Sequence, residues 1–350
     1  MAYNKAFNTP LVVFTAFNGE MVSAVPLLTW VGRSAASMGL PSASTSKCVY
    51  SNGTTFIARG YANSTGNYAY YDPVTNTWVS SFTTKAEMLY WGNGVYLLVN
   101  GANVYSSFNG RKVNYAGYLP GLGNPVMCGA SNGTYGVLSA WWVHSPMYAK
   151  NDVGIAGNWA LTGDYYEDGM CCFTTMTCHK GMYVGVASDT ISGSGKGGIQ
   201  ISSNGYKWKR TITYPLGHAN DYSKGFGEIR SINGRLFLKS TYITVRGGTT
   251  VYQLSVMNNN ASSYTVVRQT TDSGTIPPLS AMVYVEKLGQ YLHFGKDVIY
   301  ASPDGFRWMS VPQKNFGDTK SYAVYIPGDG FYVSTNGSWG SNSILYGAYP

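Results

Sequence analysis

Val49-Tyr50-Ser51-Asn52-Gly53, followed by Phe56, joins a β-prone stretch to an Asn-Gly turn and a large aromatic residue. Asn-Gly favours a hairpin because both central positions of a tight two-residue turn need positive φ. The same unit recurs along the chain with turn glycines at Gly53, Gly94, Gly133, Gly181, Gly234, Gly289 and Gly330. These glycines lie about 46 residues apart on average, a period that indicates a β-propeller.

A second hairpin signal lies between successive turn glycines, often with Trp soon after the turn. The tryptophans that follow it are Trp78, Trp159, Trp208 and Trp308. Two hairpins make four strands, which is one propeller blade. The repeat therefore predicts an all-β, seven-bladed β-propeller with four-stranded antiparallel blades.

One domain is expected to span residues 1–350. Its predicted blades cover about 47–81, 82–122, 123–163, 164–217, 218–271, 272–313 and 314–350, after an N-terminal segment of residues 1–46. The last unit lacks a fourth strand, and the unpaired β-like segment Leu11–Ala16 is available to supply one. A closure strand from the N-terminus would remove both exposed sheet edges. Asn18-Gly19 is a further hairpin signal, which leaves an eighth, irregular blade or an N-terminal extension as alternatives.

The composition excludes a mostly helical protein and a disordered chain. Charged residues make up 11% of the chain, too few for the wet faces of many surface helices. Aromatic residues reach 15%, which gives more apolar mass than disordered chains carry. The net charge of +8 is spread over 350 residues without long basic runs, so we expect a soluble surface and no specific nucleic-acid partner.

The cysteines indicate neither a disulfide framework nor a zinc site. Their number is odd and they lack paired metal-ligand spacing: Cys48, Cys128, Cys171, Cys172 and Cys178. Free thiols suit assembly in a reducing compartment. We also expect no export signal and no membrane insertion, since the N-terminus lacks a basic segment followed by an apolar stretch and no window approaches 18 apolar residues.

Two turn segments resemble the Asp box of sialidase-type propellers, Ser-x-Asp-x-Gly-x-x-Trp. Ser302–Trp308 reads Ser-Pro-Asp-Gly-Phe-Arg-Trp, and Ser202–Trp208 has Asn in place of Asp. Both lack one residue between the acid position and Gly. In such a turn the acid or amide accepts backbone N–H groups and Trp packs between sheets. The likeness therefore predicts a structural device and no hydrolytic activity.

Residues 47–350 as a whole resemble virion-associated β-propellers of tailed bacteriophages. The resemblance lies in the degenerate Ser-Asn-Gly and Trp hairpins, the few charges and the many Tyr and Asn. It implies a tail or capsid-surface protein that acts in host attachment and receptor binding or as a structural ring. It further implies synthesis in the host cytoplasm without a signal peptide, a place in the virion, and other tail proteins as partners.

A catalytic site is not predicted. A sialidase needs three arginines that clamp a carboxylate, a Tyr nucleophile with a Glu partner, and an acid/base Asp. None of the nine arginines lies in a recognisable catalytic motif: Arg33, Arg59, Arg111, Arg210, Arg230, Arg235, Arg246, Arg268 and Arg307. The four histidines, His144, His179, His218 and His293, lack metal-ligand spacing. We therefore expect no catalytic residue, no metal and no cofactor, with a sialidase-like glycosidase or a cellular propeller scaffold as the alternatives.

Carbohydrate binding is the favoured activity, because aromatic rings stack on sugar faces and amides or hydroxyls supply hydrogen bonds. The candidate ligand-binding residues are Trp141, Trp142, His144 and Tyr148, in an irregular, Pro-interrupted part of the third blade. Basic residues near the second hairpins are interpreted as edge charges that prevent sheet-to-sheet association: Arg111, Lys112, Lys207, Lys209, Arg210 and Arg307. A non-catalytic virion protein that binds host-surface polysaccharide is the resulting hypothesis.

Overall fold

The computed structural model describes residues 12–17, 20–62, 65–85, 87–122, 125–140, 147–161, 173–187, 198–213, 225–243, 249–272, 276–314, 316–317, 320–335 and 343–349. The first strands within these ranges are β1 (Val12–Phe17), β2 (Glu20–Pro26) and β3 (Trp30–Arg33). The 3₁₀ helix η1 (Ala36–Met38) follows β3 and leads into a series of four-stranded sheets.

The first four sheets follow one another along the chain. Blade 1 contains β4 (Thr45–Ser51), β5 (Phe56–Ala62), β6 (Thr65–Asp72) and β7 (Thr77–Thr84). Blade 2 contains β8 (Glu87–Gly92), β9 (Val95–Asn100), β10 (Asn103–Ser107) and β11 (Asn114–Tyr118). Blade 3 contains β12 (Val126–Ser131), β13 (Gly136–Ala140), β14 (Met147–Lys150) and β15 (Ala160–Leu161). Blade 4 contains β16 (Phe173–His179), β17 (Met182–Ala187), β18 (Gly198–Ser202) and β19 (Lys209–Thr213).

Three more sheets complete the ring. Blade 5 contains β20 (Gly225–Ile232), β21 (Arg235–Ile243), β22 (Thr250–Met257) and β23 (Tyr264–Thr270). The 3₁₀ helices η2 (Leu279–Ala281) and η3 (Glu286–Leu288) flank β24 (Met282–Val285) of blade 6, which continues with β25 (Gln290–Phe294), β26 (Val298–Ser302) and β27 (Met309–Pro312). Blade 7 contains β28 (Lys320–Ile326), β29 (Gly330–Thr335), β30 (Ile344–Ala348) and β3.

These seven antiparallel sheets confirm the predicted seven-bladed propeller. In blades 1 to 6 the strands pair in chain order, so the first and fourth strands form the two edges of each sheet. First strands of neighbouring blades contact one another, as β12 contacts both β8 and β16. The first strands therefore surround the axis of the ring, and the fourth strands lie at its rim. Blade 1 extends beyond the predicted 47–81 at both ends, because β7 continues to pair with β6 as far as Thr84.

The ring is closed by an N-terminal strand, as predicted, but the closing segment is different. β3 pairs antiparallel with β30, with Trp30 opposite Gly347. The segment expected to close the ring, Leu11–Ala16, overlaps β1, which instead pairs with β2 in a separate two-stranded hairpin. A short local hairpin costs less loop-closure entropy than pairing with a distant strand. The described part of this segment is thus an N-terminal extension and not an eighth blade.

Trp30 explains why β3 is the closing strand. Its ring packs against Phe316 and Phe294, with centroid distances of 4.4 and 6.1 Å. Its Nε1 donates a hydrogen bond of 3.2 Å to Oε1 of Gln313. At the other end of β3, the Arg33 guanidinium lies 4.1 Å from the centre of the Tyr346 ring. Apolar burial and cation–π attraction therefore hold β3 against blades 6 and 7.

The turn glycines do not all form two-residue hairpins. Asn93-Gly94, Lys180-Gly181 and Asn233-Gly234 do, and both residues of each turn have positive φ. Gly53 and Gly133 lie in four-residue loops, where Oδ1 of Asn52 or Asn132 accepts two backbone N–H groups. Gly289 follows η3 in the left-handed region, and Gly330 is the first residue of β29. The Asn side chain thus stabilises a wider loop in two blades where a tight turn was expected.

The aromatic residue after several turn glycines connects neighbouring blades. Tyr96 in blade 2 donates its hydroxyl to the carbonyl of Thr55 in blade 1, at 2.6 Å. Tyr183 in blade 4 donates to the carbonyl of Tyr135 in blade 3 at 3.1 Å. Tyr291 in blade 6 donates to the carbonyl of Asn233 in blade 5 at 3.3 Å. The repeat therefore encodes a hydrogen bond between neighbouring blades as well as a turn.

Removal of the Tyr96 hydroxyl should weaken the association of blades 1 and 2. Tyr96→Phe should lower the free energy of unfolding by about 1–2 kcal/mol, because it removes the hydroxyl of a fully buried side chain that donates to the carbonyl of Thr55 and accepts the N–H of Asn52. Tyr115→Phe is the matched control, since Tyr115 is exposed and its hydroxyl is 3.5 Å from Oδ1 of Asn103. Urea denaturation of the two variants checks this. Equal stabilities would show that the Tyr96 hydroxyl contributes nothing to blade association.

The two Asp-box-like segments form closely similar outer turns between the third and fourth strands. In blade 6, Oδ1 of Asp304 accepts the N–H groups of Phe306 and Arg307, at 2.8 and 2.9 Å. The Trp308 indole donates to the carbonyl of Gly305 at 2.8 Å. In blade 4, Asn204, Gly205 and Trp208 repeat these contacts. Asn replaces Asp without loss of the turn, because an amide oxygen accepts the same two N–H groups.

The four tryptophans that follow second hairpins pack between blades. Trp78 in blade 1 lies 5.2 Å from Tyr332 of blade 7, between ring centroids. Trp208 lies 4.6 Å from Phe173 of its own blade and belongs to a core shared with blades 2 and 3, and Trp308 lies 6.3 Å from Phe237 of blade 5. Trp159 is fully buried in the core shared by blades 2 to 4. These rings stabilise the ring of blades, and Trp78, Trp159 and Trp208 are buried.

Candidate functional site

A cavity of about 670 Å³ lies along the axis of the propeller. Its walls come from the first strands of all seven blades and from several of the turns that follow them. Because the inner strands alternate their side chains, one set faces this cavity and the other packs between blades. We call it the central channel.

Three aromatic side chains from three blades meet beside the central channel. The Tyr50 and Trp91 rings are 4.7 Å apart between centroids, Tyr50 and Tyr322 are 4.9 Å apart, and Trp91 and Tyr322 are 5.5 Å apart. We call these residues the aromatic cluster. They come from β4, β8 and β28, the inner strands of blades 1, 2 and 7, and Trp91 and Tyr322 line the cavity directly.

Exposure within the aromatic cluster is unequal. Tyr50 is 3% exposed, whereas Trp91 and Tyr322 are partly exposed to the channel. Burial raises the pKa of the Tyr50 and Tyr322 hydroxyls, and both therefore stay protonated at neutral pH. The cluster consequently presents to the channel part of the Trp91 indole and the neutral phenol of Tyr322, two groups that suit a sugar.

A charged pair on β20 lies in the same channel. The Arg230 guanidinium carbon is 5.9 Å from the centre of the Trp91 ring, and Nη1 donates to the carbonyl of Leu279 at 3.0 Å. The carboxylate of Glu228 accepts the N–H groups of Leu279 and Ser280, at 2.9 and 3.3 Å. Burial lowers the pKa of Arg230, against the nearby charge of Glu228. Arg230 stays charged at neutral pH because free arginine titrates so high.

Of the four ligand-binding residues predicted from the sequence, the structure describes only Tyr148. Trp141, Trp142 and His144 lie outside the described residues. Tyr148 is fully buried, and its hydroxyl donates to the carbonyl of Pro120 at 3.1 Å. Its ring belongs to the core shared by blades 2 to 4 and has no open face for a sugar.

Sequence reasoning missed the aromatic cluster and Arg230. Strand alternation in the repeat could have indicated Trp91, which directly precedes a turn at the end of an inner strand. The sequence could not show that Tyr50 and Tyr322 would meet it, because they are separated by 272 positions along the chain. Only closure of the ring brings blade 7 beside blade 1.

Other predicted features are placed as follows. Within the described ranges no group of three His, Cys, Asp or Glu side chains could hold a metal ion. The side chains of Cys48, Cys128 and Cys178 are buried, whereas Cys171 and Cys172 lie outside the described residues. None of the described helices is long and apolar enough to cross a membrane.

Two of the basic residues of the outer turns, Arg111 and Arg307, have partners on their own or a neighbouring blade. Arg307 Nε donates to Oδ2 of Asp304 at 3.0 Å within one outer turn. Arg111 stacks over the Tyr70 ring at 4.6 Å and lies 3.9 Å from Asp72, both in blade 1. These arginines lie at the rim, away from the channel.

Comparison with known proteins supports the fold. No known family model matches the chain, and no curated protein matches it. The structure of the Dos1 propeller has a TM-score of 0.50 at 8% identity and covers 94% of this chain and 96% of its own. YCF48 bound to D1 peptide gives 0.54 at 13% identity, covering 94% and 100%. An oligogalacturonate lyase from Vibrio parahaemolyticus gives 0.55 at 10%, covering 98% and 99%. At these identities the likeness shows the propeller fold alone.

Proposed function

We propose that this chain is a non-catalytic binding protein of a tailed-phage virion, located in the tail, that takes host-surface polysaccharide into its central channel. One observation carries the proposal: Trp91 and Tyr322 of the aromatic cluster line an axial cavity of about 670 Å³. The Trp91 indole supplies a flat apolar face, and Tyr322 supplies a second ring with a hydroxyl. Stacking on such faces tolerates variation in the sugar, as repeating surface polymers require.

The place in a virion is supported by the resemblance of the repeat to phage propellers. Buried thiols at Cys48, Cys128 and Cys178 are compatible with assembly in a reducing compartment. The fold itself leaves the activity open, since the similar structures include a lyase and a protein with a bound peptide. Binding is favoured over hydrolysis because Arg230 lies beside aromatic rings and, in the part of the chain that the structure describes, the carboxylate of Glu228 in the channel accepts backbone N–H groups and no Tyr hydroxyl.

A glycan array with the purified chain tests the binding role. Trp91→Ala should weaken binding to any glycan that the wild type retains by at least about tenfold, because one stacking face is lost. Phe306→Ala is the matched control, since Phe306 is an aromatic residue 40% exposed on an outer turn, and it should bind as the wild type does. Absence of glycan binding by the wild type would overturn the proposal, as would equal affinity for Trp91→Ala.

The virion role needs a separate experiment. Mass spectrometry of purified particles should find the chain in tail fractions, and cryo-electron microscopy should show a seven-bladed ring there. Absence from the particle, with a stoichiometric cytosolic partner in a pull-down, would favour a cellular scaffold. Turnover of fluorogenic sialosides that is lost in Arg230→Gln would favour the sialidase-like alternative.

A further inference from the structure

We propose that the central channel selects acidic saccharides, with Arg230 binding the carboxylate of a sugar unit that stacks on Trp91. This inference rests on the proposed function and names its ligand class. Nη1 of Arg230 donates to the carbonyl of Leu279. Among the described residues, Nε and Nη2 form no hydrogen bond, and no carboxylate lies within ion-pair distance of the guanidinium.

Among the described residues, Glu228 forms no ion pair with Arg230. Its two carboxylate oxygens accept the N–H groups of Leu279 and Ser280 at the start of η2. The carboxylate thereby fixes the same short helix whose Leu279 carbonyl orients the guanidinium. Glu228 is a positioning residue here, and its negative charge disfavours binding of more than one anion beside Arg230.

The remaining arrangement fits one charged sugar unit. A guanidinium matches the planar oxygens of a carboxylate through paired N–H donors. Arg230 and Trp91 are close enough, at 5.9 Å from guanidinium carbon to ring centroid, for one pyranose to contact both. Partial burial of Arg230 removes competing water, so a carboxylate there gains more than it would at the surface.

Calorimetric titration with matched oligosaccharides tests the inference. The probes are uronic acid and sialic acid oligomers, each paired with its carboxyl-reduced, neutral form. We expect the wild type to bind at least one acidic oligomer ten or more times more tightly than its neutral counterpart. This preference should decrease as salt concentration rises, a measurement that needs no variant.

Two variants separate charge from geometry. Arg230→Gln should lose the preference, so that the acidic oligomer binds no more tightly than its neutral counterpart. Arg230→Lys should keep part of the preference, because it retains the charge without the planar fork. Thermal unfolding of each variant establishes that it folds. If both variants fail to fold, the salt dependence of the wild type decides.

The outcomes distinguish this inference from the proposed function. Equal binding of acidic and neutral oligomers would overturn the acidic selectivity and leave polysaccharide binding intact. Tighter binding of a phosphodiester-linked glycan than of every carboxylated oligomer would overturn the carboxylate assignment. No binding of any oligosaccharide would overturn the proposed function itself.

Discussion

Gly205→Ala is expected to lower the free energy of unfolding by about 2–5 kcal/mol. Gly205 has a φ of 73° in the outer turn of blade 4, where a residue with a Cβ is strained. A Cβ at this position would also overlap Cγ2 of Val137, on the second strand of blade 3, and approach Cε1 of Tyr135 at 3.2 Å. The backbone cost and the steric cost therefore add at one residue.

Gly234→Ala is the matched control, because Gly234 has a similar φ of 70° but no atom within 4 Å of a Cβ built there. It should lose only the conformational part, about 1–2 kcal/mol. Chemical denaturation of both variants measures the difference. A loss at Gly205 no greater than that at Gly234 would show that the turn does not press against blade 3. Gly110 and Gly305 pack against the second strands of blades 1 and 5 in the same way.

Acid should destabilise the protein through His293. This side chain is fully buried, and its Nε2 donates to the carbonyl of Pro278 at 3.1 Å, since a carbonyl can only accept. Burial lowers the pKa of His293 from 6.5 to about 3, and the positive charges of Arg268 and Lys239 act in the same direction. Below about pH 6.5, His293 of the unfolded chain therefore binds a proton, whereas His293 of the folded chain stays neutral until the pH approaches 3. The stability contributed by neutral His293 is full above that pH and decreases as the pH falls toward 3.

This effect amounts to about 2 kcal/mol between pH 7 and pH 5. His293→Gln, which cannot take up a proton, should be less stable at pH 7 but should lose about 2 kcal/mol less than the wild type on acidification. Urea denaturation at both pH values measures the two differences. His179 also has its pKa lowered by burial, so part of the pH dependence should remain in the variant. An unchanged pH dependence in His293→Gln would contradict the prediction.

The fold was predictable because its signals are local. Asn93-Gly94 and Asn233-Gly234 form tight turns for reasons contained in two residues, namely the positive φ that Asn and Gly accept. The outer turns at Asp304 and Asn204 are likewise stabilised by their own side chains. Such signals repeat in phase with the blades, so counting them gave the number of blades.

The candidate site was not predictable in the same way. Tyr148 was chosen for its place in an irregular, aromatic segment, yet it is fully buried. In the sequence, Trp91 stands out only as the residue before a Gly-Asn-Gly turn, although its side chain lines the channel. Whether an aromatic residue packs between blades or faces the axis depends on the strand and the face it occupies. Composition carries no information on that choice.

By itself, the sequence determined the all-β class, the seven blades and closure of the ring by an N-terminal strand. A tight turn depends on the residues of the turn itself. An exposed sheet edge favours pairing with a further strand wherever that strand lies in the chain. Only the tertiary structure decided that Trp30–Arg33 closes the ring and that Tyr50, Trp91 and Tyr322 meet beside Arg230. These contacts join blades that are distant in the chain, and packing around a closed ring is what brings them together.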